Sequence, residues 1–88
     1  MAMSAYLEIY VEAECFVCER SSAIADEVRA AFADVDVRVI DLAGAEGRHR
    51  DLVVAAPTYV LNGRVVSLGN PDRAALHDEI AHVQGATP

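Results

Sequence analysis

Cys15-Phe16-Val17-Cys18 holds both thiols of an 88-residue chain at the junction between a strand pattern and a helix pattern. Upstream, in Tyr6-Leu7-Glu8-Ile9-Tyr10-Val11-Glu12, Leu7, Ile9 and Val11 alternate with Tyr6, Glu8, Tyr10 and Glu12, the two-residue period of a half-buried strand. Downstream, Val17, Ile24, Val28, Ala31 and Phe32 fall near one face at the 3.6-residue period, and Glu19, Arg20, Asp26, Glu27 and Arg29 fall largely elsewhere. The spacing predicts Cys15 in the first turn of a helix and Cys18 one turn further along. Unpaired N–H groups and the positive end of the helix dipole favour a thiolate there, the nucleophilic form of sulfur. Cys18 is then near enough to attack a mixed disulfide formed on Cys15. Redox use is the leading reading of the pair. A metal site and inert structural thiols are the alternatives, although a zinc ribbon wants a second cysteine pair and this chain has none.

Composition bounds the rest. A chain of this length predicts one domain over residues 1–88, with room for one core and burial of roughly 60–65% of its unfolded surface. The formal net charge of −7 argues against nucleic acid and anionic membranes, which are bound through Lys and Arg. No apolar run approaches the roughly 20 residues that cross a bilayer. Met1-Ala2-Met3-Ser4-Ala5 has no basic segment followed by an apolar one, so no signal peptide is expected and the cytoplasm is the expected compartment.

Further along, Val35-Asp36-Val37-Arg38-Val39-Ile40-Asp41-Leu42 reads as a second strand, rich in β-branched residues and entered through a turn at Asp34. Two strands joined by a helix at this length form a βαβ unit, parallel in one sheet with a right-handed crossover. A short second helix is the reading of residues 43–56, weakened by Gly44 and Gly47. Pro57-Thr58-Tyr59-Val60-Leu61, Asn62-Gly63 and Arg64-Val65-Val66-Ser67-Leu68 form a β-hairpin, because Asn-Gly fills both left-handed positions of a type I′ turn. Gly69 breaks the second hairpin strand. Asn70 is the predicted N-cap of a last helix, with Pro71 at its first position, Asp72 in its first turn, Leu76, Ile80 and Val83 as its stripe, and Gly85 and Pro88 beyond its end.

The order β-α-β-(α)-β-β-α, with Cys15-Phe16-Val17-Cys18, Ala56-Pro57-Thr58 and Leu61-Asn62-Gly63-Arg64 followed by Gly69, resembles the thioredoxin fold in its small, glutaredoxin-sized form. The resemblance covers nearly the whole chain. It implies a three-layer α/β/α domain, a mixed four-stranded sheet in the order 2-1-3-4 with the third strand antiparallel, and a helix over each face. It further implies that Cys15 attacks and Cys18 resolves. Pro57 would be a cis-proline facing the dithiol, and the Ala56 backbone would pair with an extended partner chain. Phe16, Val17, Ala56, Pro57 and Thr58 are the expected substrate-binding residues. The expected partners are a disulfide-containing protein substrate and an electron donor, either a separate thiol reductase or glutathione. No cofactor, metal, nucleic acid or membrane is expected, and the chain is expected to be a monomer. A thioredoxin-fold redox-sensing or metal-binding module without turnover is the alternative.

Several positions depart from the family pattern. Phe16-Val17 replaces the usual Gly-Pro or Pro-Tyr, and Glu14 stands where thioredoxins carry tryptophan. Their buried proton-transfer acid falls at Ile9, which leaves solvent or Glu12 for that task. Glutaredoxins commonly place a basic residue upstream of the dithiol and a Gly-Gly-x-Asp-like turn before the last helix. Here Glu12 and Glu14 are acidic and the turn is Gly69-Asn70-Pro71-Asp72, so a glutathione site would depend on Arg48 or Arg50 holding a carboxylate. Glu12, Glu14 and Glu19 oppose the helix dipole at Cys15, each by about 0.3–1 kcal/mol, which predicts a less acidic thiol and a reductant more than an oxidant. Phe16 is read as a docking surface. His49, His77 and His82 are read as surface residues, and Tyr6, Tyr10 and Tyr59 as sheet residues with one polar end at water.

Overall fold

The structure, a computed structural model, describes residues 5–44 and 47–84. The N-terminal Met1–Ser4, Ala45 and Glu46 of the expected second helix, and the expected helix stop at Gly85 and Pro88 lie outside the described residues. Strand β1 (Tyr6–Val11), helix α1 (Cys18–Ala31), strand β2 (Asp36–Asp41), strands β3 (Thr58–Leu61) and β4 (Arg64–Leu68), and helix α2 (Arg73–Gln84) follow in order. They form one four-stranded sheet in the order β2-β1-β3-β4. β1 pairs parallel to β2, from Tyr6 opposite Asp36 to Val11 opposite Asp41. It pairs antiparallel to β3, from Leu7 opposite Leu61 to Tyr10 opposite Thr58. β3 and β4 form the Asn62-Gly63 hairpin, with a register shift between Tyr59 and Val60. Asn62 (φ 50°) and Gly63 (φ 83°) both adopt the left-handed conformation that a type I′ turn requires. The Asn62 side chain also accepts the Tyr6 N–H at 2.9 Å and ties the turn to β1. No described helix is long and apolar enough to cross a membrane.

The two helices share one face of the sheet. Ile24, Ala25 and Val28 of α1 and Leu76 and Ile80 of α2 pack in a single cluster with Leu7, Ile9, Val37, Tyr59 and Leu61 of the strands. Among the described residues, the expected second helix is realised only as a 3-10 turn at Arg50–Leu52. On the opposite face, Leu42 and Val53 pack against Tyr10, Ile40 and Val60, and among the described residues no α-helix covers it. Arg50 donates to the carbonyls of Gly44 and Leu42. The Arg48 guanidinium lies 4.8 Å over the Tyr6 ring.

Because both faces of β1 are covered, its expected alternation fails: Glu8 and Tyr10 are buried along with Leu7 and Ile9. A buried carboxylate needs partners, and Glu8 has two. Its oxygens accept the Tyr10 hydroxyl at 2.8 Å and the Arg48 N–H at 3.1 Å, while the Tyr10 hydroxyl accepts the His49 N–H at 3.0 Å. Gly47 lets the loop come this close, since a Cβ there would lie 2.6 Å from the Tyr10 ring. His82 is exposed as expected, whereas His49 and His77 are less exposed than expected. His49 Nε2 is hydrogen-bonded to the Tyr6 hydroxyl at 2.7 Å, and His77 packs edge-on to Phe32 with its Nε2 buried and unpartnered.

Burial pushes the Tyr10 phenol up to about 12, reinforced by Glu8 and opposed by the His49 N–H. Burial raises Tyr59 as well, against the Ser21 hydroxyl and Arg73. The folded chain thus holds these protons more tightly than the unfolded chain, whose phenols titrate near 10. Stability is expected to be intact below pH 10 and to fall as pH rises from 10 towards 12. With no lysine in the chain and disulfide-bonded cysteines that do not titrate, tyrosines alone set this slope. Urea midpoints measured across that window should fall, and Tyr10→Phe should flatten the fall. A midpoint independent of pH from 9 to 11 would contradict the tighter proton binding.

Candidate active site

The dithiol sits at the end of the sheet where β1 passes into α1. The helix begins at Cys18, not in the turn containing Cys15, and its N-cap is Val17 without a side-chain cap. Cys15 lies in the preceding turn, which closes when its carbonyl accepts the Cys18 N–H at 3.2 Å. The first turn of the helix is thus displaced by three residues from the sequence reading. Its buried face runs through Cys18, Ser21, Ile24, Ala25 and Val28, with Val17 outside it and half exposed.

Cys15 and Cys18 are joined by a disulfide, with Cα atoms 5.2 Å apart. The two sulfurs sit in different surroundings. Cys18 is 7% exposed at the root of the helix, whereas Cys15 is half-buried beside Phe16, whose ring is 95% exposed. The Ala56–Pro57 peptide bond is cis, and the Ala56 carbonyl oxygen lies 3.9 Å from Cys15 Sγ. Residues 41 positions apart in the chain thus meet at one sulfur. Pro57 and Thr58 are buried; the Thr58 hydroxyl donates to the Ala55 carbonyl, so its side chain shapes the turn and is not presented to a substrate. Phe16 and Val17 follow Cys15 on the exposed surface, and Ala56 meets its sulfur.

The polar rim is acidic. Ala13, Glu14, Cys15, Phe16 and Glu19 line a shallow pocket of about 420 Å³. On the other side of Ala13, a cleft of about 500 Å³ runs past Glu12 and Asp41 to Val54 and Ala55. Glu12 lines this second cleft and not the pocket of Cys15. Ile9 is fully buried in the apolar cluster between sheet and helices, so no carboxylate stands at the position implied for the proton-transfer acid. Among the described residues, no three His, Cys, Asp or Glu side chains lie close enough together to hold a metal ion.

The sequence predicts Asn70 as a helix cap, and the structure gives it a different task. Asp72 caps α2 by accepting the Ala75 N–H at 3.0 Å. The Asn70 side chain instead reaches the Val17 carbonyl, inside the dithiol loop, at 2.6 Å. A polar residue between Gly69 and Pro71 was visible in the sequence, but nothing local indicated a partner 53 residues away.

This sheet order, with a disulfide of Cys-x-x-Cys spacing before the first helix, defines a thioredoxin-fold dithiol protein. Among solved structures, the chain is similar to oxidised thioredoxin O2 of Arabidopsis thaliana, with 17% identity and a TM-score of 0.70 over 92% of this chain and 76% of that one. It is also similar to oxidised mitochondrial thioredoxin 3 of Saccharomyces cerevisiae, with 21% identity and a TM-score of 0.70 over 88% of this chain and 76% of that one. No protein-family model and no curated protein sequence matches the chain. At these identities the likeness establishes the fold.

Proposed function

We propose that the chain is a dithiol–disulfide oxidoreductase that reduces protein disulfides. The observation that carries this reading is the inequality of the two sulfurs: Cys15 reaches the surface beside an exposed aromatic ring, and Cys18 is nearly enclosed behind it. In the reduced protein the Cys15 thiolate attacks one sulfur of a partner disulfide. That bond breaks, a Cys15–partner bond forms, and the departing sulfur takes a proton from solvent. Cys18 then loses its proton and attacks Cys15, and the second partner sulfur leaves as a thiol. The partner gains two electrons and two protons, and the Cys15–Cys18 disulfide remains. A thiol donor, either a separate reductase or glutathione, restores the pair. Catalysed reduction of insulin disulfides, with dithiothreitol as the electron source, tests the reading. A rate no higher than that of dithiothreitol alone overturns it in favour of a redox-sensing module without turnover.

The acidic rim defines which partners approach fastest. Glu14 and Glu19 face the approach to Cys15 without a salt-bridge partner among the described residues, and Phe16 offers an apolar contact. The preferred substrate is a disulfide flanked by Lys or Arg, steered by opposite charge. Between peptide disulfides with basic and acidic flanks, the basic one is expected to react about tenfold faster at low salt, with the advantage shrinking as salt screens the field. Glu14→Lys combined with Glu19→Lys is expected to reverse the order. Comparing two peptides on one variant cancels any change in the Cys15 thiol itself. A ratio that is insensitive to salt and to the double substitution would refute charge selection.

A further inference from the structure

Asn70 lies between the hairpin and α2, and its side chain makes three short hydrogen bonds to two other elements and the dithiol loop. Its Nδ2 donates to the Val17 carbonyl at 2.6 Å, and its Oδ1 accepts the Ser21 hydroxyl at 2.8 Å and the Tyr59 hydroxyl at 2.7 Å. A carbonyl only accepts, so the amide nitrogen must face Val17 and the oxygen must face the two hydroxyls. Ser21 and Tyr59 are fully buried in α1 and β3, which gives Asn70 a fixed seat.

The Val17–Cys18 peptide group is thereby held at both ends. Asn70 holds its oxygen, and the Cys15 carbonyl holds its N–H at 3.2 Å. A peptide group is planar, so holding both ends sets the direction in which the Cys18 side chain leaves the backbone relative to Cys15. Little else does so. The other partner of the Val17 carbonyl is the Arg20 N–H at 3.2 Å, and no side chain caps α1.

We propose that Asn70 is a positioning residue for the dithiol: by clamping the Val17–Cys18 peptide it keeps the Cys18 sulfur within reach of Cys15 and favours closure of the disulfide. This rests on the redox reading of the pair but adds a residue that touches neither sulfur. Closure by glutathione disulfide transfers two electrons from the Cys15 and Cys18 sulfurs to the glutathione S–S bond, and two protons leave with the released glutathione thiols. A loop ordered beforehand loses less freedom in that step, so the intramolecular bond is favoured over two mixed disulfides.

Equilibration of the protein with glutathione buffers near pH 7, followed by thiol alkylation and mass spectrometry, reads the equilibrium constant for closure. Asn70→Ala is expected to lower it about tenfold, equivalent to a potential about 30 mV less negative. Leu76→Ala, a core truncation in α2 away from the dithiol, lowers stability and is expected to leave the constant within about twofold. If Asn70→Ala does not fold, Asn70→Asp keeps the acceptor oxygen and removes the donor. Measured in about 0.5 M salt to screen its charge, it is expected to shift the constant in the same direction. A constant within about twofold of the wild type in the Asn70 variant that folds overturns the proposal. So does an equal shift in Leu76→Ala, which would make the effect one of general stability. If glutathione does not exchange with the wild-type pair, dithiothreitol buffers read the same comparison, and a pair that exchanges with neither overturns the proposed function together with this inference.

Discussion

Cys15→Ser is expected to bring catalysed insulin reduction down to the background rate of the chemical reductant, a loss on the order of 10³-fold or more. The size of the loss follows from the lack of a substitute nucleophile. Cys18 is 7% exposed, lodged where α1 meets the sheet, and a partner disulfide cannot line up with it while the Cys15 turn lies in front. Cys18→Ser has a different outcome. Cys15 still attacks, but the mixed disulfide has no neighbouring thiol to resolve it and accumulates until an external thiol releases it. The covalent complex should be isolable under non-reducing conditions, with the partner attached through Cys15. Trapping by Cys15→Ser and not by Cys18→Ser would invert the assignment and refute the argument from exposure.

The parts of the fold legible in the sequence were those set by neighbours in the chain. Asn62-Gly63 has the one local chemistry that places two successive residues in the left-handed region, and the hairpin follows from it with β4 at its predicted limits. The cysteine pair at a strand-to-helix junction was legible for the same reason. The misreadings of β1 and of Asn70 share another cause: each depended on a partner 39 or more residues distant. Glu8 and Tyr10 look like the wet side of a strand until the loop at Arg48 and His49 supplies N–H groups to them. Asn70 and Asp72 are both good cap residues, and local preference cannot choose between them. The choice is made by the Val17 carbonyl, which takes the Asn70 amide and leaves the cap to Asp72. The second helix failed where two glycines weaken helical order and the Arg50 side chain takes the carbonyls of Leu42 and Gly44.

The same distant contacts make Glu8 a pillar of stability and not of chemistry. Its carboxylate is 3% exposed on the face of β1 away from the helices, where Tyr10 and Arg48 satisfy it. Glu8→Ala removes the acceptor from both donors and opens a void beside the Tyr10 ring, at an expected cost of about 2–4 kcal/mol. That is a large share of the roughly 5–15 kcal/mol by which domains of this kind are folded. Glu8→Gln keeps one acceptor oxygen and the volume, and is expected to cost less than the alanine. Tyr10→Phe removes one of the same bonds, so the double variant should lose less than the sum of the singles, by about 0.5–3 kcal/mol. Urea unfolding at neutral pH reads all four chains. Because α1 packs on the other face of the sheet and the dithiol lies at the sheet's end, the reducing activity per folded molecule should stay within about twofold in Glu8→Ala. Additive losses would dissolve the network, and a collapse of activity in the folded fraction would make Glu8 part of the chemistry after all.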